Sequence, residues 1–143
     1  MAESLITYRG TVYPWQCDHV GHMNVMWYVG KFDEATWQLF NRIGLTPSYL
    51  RGAKRGMAAV EQHISYIKEL HAGAVVTIRT TILEVKDKSI LFLHEMVDDE
   101  TSEIAARTTL KAVHLDTDLR KSCAFGETIA NNASALINDG PQK

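Results

Sequence analysis

The alternation of apolar and polar residues changes its period twice along the chain. Between Leu5 and Pro14 the two kinds of side chain alternate loosely, which predicts a strand that ends at the proline. Between Val25 and Ile43 apolar residues recur every three or four positions, which predicts a long helix with a modest polar face. After Gly56 the two-residue period returns and continues to about Leu115. The pattern therefore predicts one strand, one long helix and then a series of strands.

Turn residues divide the last part of the pattern into four strands. We predict them at Met57–Ile67, Ala74–Val85, Ser89–Val97 and Glu103–Leu115. Because short connections join them, we expect each strand to pair antiparallel with its neighbour in the chain. The central helix is so apolar that we expect the sheet to wrap around it. The fold class predicted from this order is α+β, with one antiparallel sheet and one main helix.

The chain length fits one domain that spans residues 1–143. We place its core at about 5–116, and we treat 117–143 as a C-terminal extension in which 127–137 forms a short helix. A single sheet leaves its two edge strands unpaired. We therefore expect a homodimer or homotetramer in which sheets join edge to edge.

Composition excludes several classes of function. The net charge is −2 and no basic run appears, so nothing favours a nucleic-acid partner. No apolar stretch has the length of a membrane span, and the N-terminus does not have the pattern of a signal peptide. The two cysteines, Cys17 and Cys123, form no disulfide framework. We therefore expect a cytoplasmic protein without a membrane partner.

Polar residues crowd into the stretch Asp18-His19-Val20-Gly21-His22-Met23-Asn24, directly before the long helix. Asn24 is a good N-cap residue for that helix. The first N–H groups of a helix have no partner within it, and the helix dipole favours negative charge there. A carboxylate just before such a helix start can attack a carbonyl, and the free N–H groups of the helix can stabilise the oxyanion that forms.

The order of these elements resembles the hotdog-fold acyl-CoA thioesterases, and most closely the 4-hydroxybenzoyl-CoA thioesterase-like family. The similarity rests on the Asp-x-x-Gly-His-Met-Asn turn, the aromatic-rich helix that begins Val-Met-Trp-Tyr, and the strands that follow. It implies hydrolysis of a small or medium acyl-CoA thioester to free acid and CoA. It implies no cofactor, because CoA is part of the substrate.

The resemblance also assigns roles to residues of this sequence. It implies that Asp18 is the nucleophile or general base and that the Val25 N–H polarises the thioester carbonyl. It carries over His22 and Asn24 as further catalytic residues, and it implies that Gly21 lets the loop approach the substrate. We therefore expect these residues to share one site.

Three further residues are candidates for substrate binding. Tyr28 matches a recurrent aromatic of the family's helix, Trp27 is a candidate wall of an acyl pocket, and Glu61 lies on the strand expected to face the helix entrance. Stacked aromatic side chains suit either a ring-bearing or a quaternary ammonium acyl group, and the sequence leaves both open. Basic candidates for the CoA phosphates, which could equally be surface charges, are Lys54, Arg55, Lys86, Lys88 and Lys111.

Other functions remain open at this point. A hotdog dehydratase or hydratase would act on an acyl thioester without cleaving it, and a non-catalytic module would only bind acyl-CoA. An acyl carrier protein could replace CoA in the substrate. A zinc site at His19 and His22 would need further ligands, so we predict no metal.

Overall fold

The computed structural model describes residues 5–138. The strands are β1 (Leu5–Thr11), β2 (Arg55–Tyr66), β3 (Val75–Val85), β4 (Ser89–Asp98), β5 (Glu103–Asp116) and β6 (Lys121–Ser122). The helices are α1 (Val25–Ile43), α2 (Pro47–Ala53) and α3 (Glu127–Asn138), and a short 3-10 turn covers Pro14–Gln16. The predicted bounds of α1 are confirmed, whereas the short strand β6 was not expected. Within residues 5–138, no helix has the length and apolar character needed to cross a membrane.

The strands form one antiparallel sheet in the order β1-β3-β4-β5-β2, and β6 pairs with the end of β5. The predicted pairing of consecutive strands is confirmed for β3, β4 and β5. It is wrong for β2, which pairs with β5 and sets Arg55 opposite Asp116 and Tyr66 opposite Ala106. The segment between β2 and β3 crosses to the far part of the sheet instead of forming a hairpin. As a result β2 is an edge strand.

Helix α1 packs its apolar face against the sheet. Asn24 caps the start of the helix, and Gly44, with φ of 102°, ends it in the left-handed region that favours glycine. Near the C-terminal end of α1, Ile129 and Ala133 of α3 are buried in the same cluster as the last turns of α1. The fully buried residues of α1 that form the core are Phe32, Ala35, Leu39 and Ile43. The predicted α+β architecture, an antiparallel sheet around one long helix, is confirmed.

A chain of hydrogen bonds crosses the core between α1 and three strands. His94 of β4 is fully buried, with Nε2 2.9 Å from Thr36 Oγ1 and Nδ1 2.7 Å from Thr80 Oγ1. Thr80 in turn lies 2.7 Å from Thr7 Oγ1. Since the Thr36 hydroxyl donates to the Phe32 carbonyl, its oxygen accepts from His94 Nε2–H. Burial lowers the pKa of His94 to about 3, so the ring is neutral at physiological pH.

Candidate active site

The loop before α1 is a closed turn tied to the rest of the fold. Cys17 and Met23 form an isolated antiparallel bridge, and the Met23 N–H donates to the Leu70 carbonyl at 2.7 Å. Gly21 has φ of 106°, where a side chain would be strained, and its N–H donates to the Asp18 carbonyl at 3.0 Å. The glycine therefore turns the chain so that both ends of the loop meet.

Both oxygens of the Asp18 carboxylate accept hydrogen bonds from the loop itself. The Val20 N–H donates to Oδ1 at 3.0 Å, and the Asn24 side-chain amide donates to Oδ2 at 3.4 Å. Partial loss of water around the carboxylate opposes its charge, but these bonds and the neighbouring His22 outweigh that effect. The pKa of Asp18 is therefore held below its ordinary value, and the group is ionised at neutral pH.

Asn24 links the carboxylate to the start of α1. Its Oδ1 accepts from the Met26 N–H at 3.0 Å, and its carbonyl accepts from the Trp27 N–H at 2.9 Å. The Val25 N–H, the first of the helix, has no hydrogen-bond acceptor among residues 5–138. Asn24 therefore holds the Asp18 carboxylate in position and accepts hydrogen bonds from the Met26 and Trp27 N–H groups. The Val25 N–H stays available to a ligand.

A cavity of about 260 Å³ opens beside this turn. Its lining comprises Asp18, His22, Met23, Val25, Tyr28, Tyr66, Ile67, Lys68 and Glu69. The structure therefore brings together the predicted Asp18, His22, Val25 and Tyr28. Asn24 lies directly behind them through its bond to Asp18.

Three predicted substrate-binding residues do not line this cavity, and one of them is Gly21, which shapes the loop beside it. Trp27 is half-buried and packs against the core cluster that includes Phe32 and Met23. Glu61 is exposed on β2, where it pairs in register with Lys111. Their assignment to substrate binding stays a prediction. Trp15, the aromatic residue just before the loop, is 70% exposed and stacks on Tyr13.

The end of β2 and the segment after it supply residues that the sequence did not reveal as part of the site. Tyr66 packs edge to face on Tyr28, with ring centroids 5.1 Å apart. Glu69 Oε2 lies 3.5 Å from His22 Nε2, and His71 Nδ1 lies 3.2 Å from the Gly21 carbonyl. These contacts and the hydrogen bond from Met23 N–H to the Leu70 carbonyl hold the segment against the loop, and nothing local in the sequence signals them.

Basic residues are scarce at the cavity. Lys68 lines it, but its ammonium lies 3.3 Å from the Glu103 carboxylate. Lys54 and Arg55 pair instead with Asp118 and Asp116 at the other end of β2. In the part of the chain that the structure describes, no three His, Cys, Asp or Glu side chains converge as a metal site requires.

Comparison with known proteins identifies the family. The thioesterase-like superfamily matches residues 12–133. An L-carnitine dehydrogenase/betainyl-CoA thioesterase of Agrobacterium fabrum is 35% identical over 76% of this chain, which spans only 22% of that protein's length. A betainyl-CoA thioesterase of Pseudomonas aeruginosa is 28% identical and is covered over 82% of its length by 91% of this chain.

A solved structure supports the fold independently of the sequence. A Staphylococcus aureus protein, determined in complex with CoA, superimposes with a TM-score of 0.93 over all of this chain and 90% of its own. At 19% identity that similarity shows the fold alone. Together with the family match it confirms the predicted hotdog fold. The chain therefore belongs to the thioesterase-like superfamily, the family of hotdog-fold thioesterases that the loop motif indicates.

Proposed function

We propose that this protein hydrolyses an acyl-CoA thioester to the free acid and CoA, with Asp18 as the reactive group. The observation that carries the proposal is the cavity lined both by Asp18, whose carboxylate is ionised, and by Val25, whose N–H has no acceptor among residues 5–138. A thioester carbonyl placed between them would meet an attacking oxygen on one side and an oxyanion donor on the other. One such donor contributes about 3–4 kcal/mol to transition-state stabilisation.

Two routes start from this arrangement. In one, Asp18 adds to the carbonyl carbon and expels the CoA thiolate, and water then cleaves the resulting anhydride at the Asp18 carbonyl or at the acyl carbonyl. In the other, Asp18 takes a proton from a water molecule that adds to the carbonyl, and the tetrahedral intermediate expels the thiolate. A single turnover in ¹⁸O-labelled water tests for the first route, because label in Asp18 requires the anhydride and the base route places label only in the acid.

His22, Asn24 and Gly21 support the reactive group in this proposal. His22 lies on the cavity and adds positive potential near Asp18 when it is protonated. Asn24 sets the directions of both Asp18 and the first helical N–H groups, as its two hydrogen bonds indicate. Gly21 closes the turn without a side chain that would obstruct substrate. The chemistry needs no cofactor, since every proton and oxygen comes from water and these side chains.

The names of the relatives suggest the acyl group. Two of them are betainyl-CoA thioesterases or contain that activity, and we take betainyl-CoA as the first candidate substrate. A cavity of about 260 Å³ suits a short acyl group rather than a long fatty chain. CoA is the carrier we favour, because a similar fold was solved with CoA bound.

The test of the proposed function is thiol release from a panel of thioesters. The panel contains betainyl-CoA, acetyl-CoA, a benzoyl-CoA and a long-chain acyl-CoA, and a chromogenic thiol reagent follows each reaction. We expect release to be fastest with a short acyl group. Tight binding without release would favour an acyl-CoA-binding module, and a change in the acyl chain without release would favour a dehydratase or hydratase.

We also propose that the protein works as a homo-oligomer in the cytoplasm. The edge strand β2 exposes Val60 and Tyr66, the next residue Ile67 is also exposed, and a second copy could cover them by pairing along that edge. Tyr66 and Ile67 also line the cavity, so the partner would lie close to the site. Both cysteines are free thiols, which suits a reducing compartment.

A further inference from the structure

The wall of the cavity beyond the reactive turn is aromatic. Tyr28 and Tyr66 meet at an angle of 85°, so the two rings form a corner. Tyr28 is 5% exposed and its hydroxyl donates to the Lys68 carbonyl at 3.4 Å, which fixes the ring. Burial, with Tyr66 and Glu69 close by, raises the pKa of Tyr28 to about 12. Both features keep the phenol neutral and its ring in one position.

The charges at this cavity are predominantly negative. Asp18 and Glu69 both line it, and the Glu69 side chain keeps 65% of its surface exposed. The histidines beside Glu69 are 3.5 Å (His22) and 3.9 Å (His71) from its oxygens. Lys68 brings the one formal positive charge among the lining residues, and Glu103 neutralises it at 3.3 Å. An anionic acyl group would therefore be repelled, and a cationic one attracted.

We propose that Tyr28, Tyr66 and Glu69 form a subsite for a quaternary ammonium group at the end of the acyl chain. A quaternary ammonium has no N–H to donate, so it is recognised by aromatic rings and by a carboxylate at longer range. The corner of two tyrosines supplies the rings and Glu69 supplies the charge. This inference rests on the proposed function. It assigns acyl specificity to Tyr28 of α1, to Tyr66 of β2 and to Glu69 in the segment after β2.

The decisive probes are two thioesters of the same shape. Betainyl-CoA carries a trimethylammonium group, and 3,3-dimethylbutyryl-CoA carries a tert-butyl group in the same place. The cationic nitrogen also activates the carbonyl chemically, so the ratio of the two kcat/KM values in one protein is not sufficient. The informative quantity is how far a substitution changes that ratio.

We expect Glu69→Gln to reduce the preference for betainyl-CoA about fivefold, mainly through KM, with a smaller effect on the neutral thioester. Tyr66→Leu should reduce the preference by a similar factor, because it removes one ring, whereas Tyr66→Phe should retain it. Glu84→Gln, an exposed acid-to-amide change on β3, is the matched control. Far-UV circular dichroism and thermal unfolding verify that each variant is folded.

The outcomes separate this inference from the proposed function. If Glu69→Gln and Tyr66→Leu slow both thioesters equally, or neither, the ammonium subsite is wrong while thioester hydrolysis stands. If the wild-type protein hydrolyses neither thioester and no other on the panel, the proposed function fails and the subsite fails with it. A selective loss with betainyl-CoA supports both.

Discussion

At the scale of single residues, the Asp18 carboxylate is held in one orientation before any substrate binds. The Val20 N–H and the Asn24 amide fix its two oxygens, and the same contacts lower its pKa. A carboxylate in this state is a poor base but is ionised and correctly oriented over a wide pH range. It can act at neutral pH without a second group that removes a proton from it.

The contribution of Asn24 can be separated into two parts by substitution. Asn24→Ser keeps a helix-capping oxygen for the Met26 N–H but is too short to reach Asp18. We expect it to change the free energy of unfolding by less than about 0.5 kcal/mol. Because the bond to Asp18 lowers that pKa, its loss should raise the pKa and move the acid limb of kcat/KM to higher pH.

The comparison variant is Asn24→Ala, which loses both contacts. It should show the same shift of the acid limb and a further loss of about 1 kcal/mol in stability. Urea unfolding and the pH dependence of kcat/KM measure the two effects independently. An acid limb that stays in place in Asn24→Ser would show that the asparagine does not tune Asp18.

The sequence predicted one half of the site and not the other. Asp18, Asn24 and Val25 are close in sequence, so a loop motif and a capping rule were sufficient to group them. Tyr66 and Glu69 are remote in sequence and reach the cavity because the segment after β2 bonds to the loop, as at Met23 and Leu70. For a side chain at the end of a strand, no local sequence pattern tells whether the residue lines a binding site or lies on the open surface.

At the scale of elements, the long helix was predictable and the position of β2 was not. The apolar period and the caps at Asn24 and Gly44 define α1 locally. The pairing of β2 with β5 depends on where the chain crosses the sheet, and period alone does not encode that crossing. The same limit applies to Glu61, whose exposed position on β2 the period alone does not define.

The hydrogen-bond chain between α1 and strands β4, β3 and β1 makes stability depend on pH. His94 has a pKa of about 3 in the folded protein against 6.5 for the unfolded chain. The contribution of neutral His94 to the free energy of unfolding is therefore fully present above pH 6.5. It decreases by about 1.4 kcal/mol per pH unit as the pH falls from 6.5 towards 3. Between pH 7 and pH 5 we expect the wild-type protein to lose about 2 kcal/mol more than His94→Asn does.

Urea unfolding of both proteins at the two pH values measures this difference. The variant is less stable at pH 7, because it loses the bond to Thr36 and the packing on Phe32. Only the change with pH is compared, so this offset cancels. Equal losses in the two proteins would show that His94 does not remain neutral in the core.

At the scale of the whole molecule, the exposed edge strand β2 can pair with a second copy of the chain. Val60 lies at a bulge of this strand and is 57% exposed. We expect light scattering to show a dimer for the wild-type protein and a monomer for Val60→Glu, because a buried charge at the interface would be unpaired. Leu83→Glu makes the same change on β3, which is not an edge strand, and should leave the dimer intact. A monomeric wild-type protein, or a dimeric Val60→Glu, would contradict this arrangement.

The central claim is that Asp18 carries the reaction, and the turnover of Asp18→Asn tests it most directly. This change keeps the size of the side chain and removes its charge, and Asp33→Asn on the exposed face of α1 is the control. With the best thioester of the panel, we predict that kcat falls at least about a hundredfold in Asp18→Asn and stays near the wild-type value in the control. A folded Asp18→Asn protein with nearly normal kcat would contradict the account.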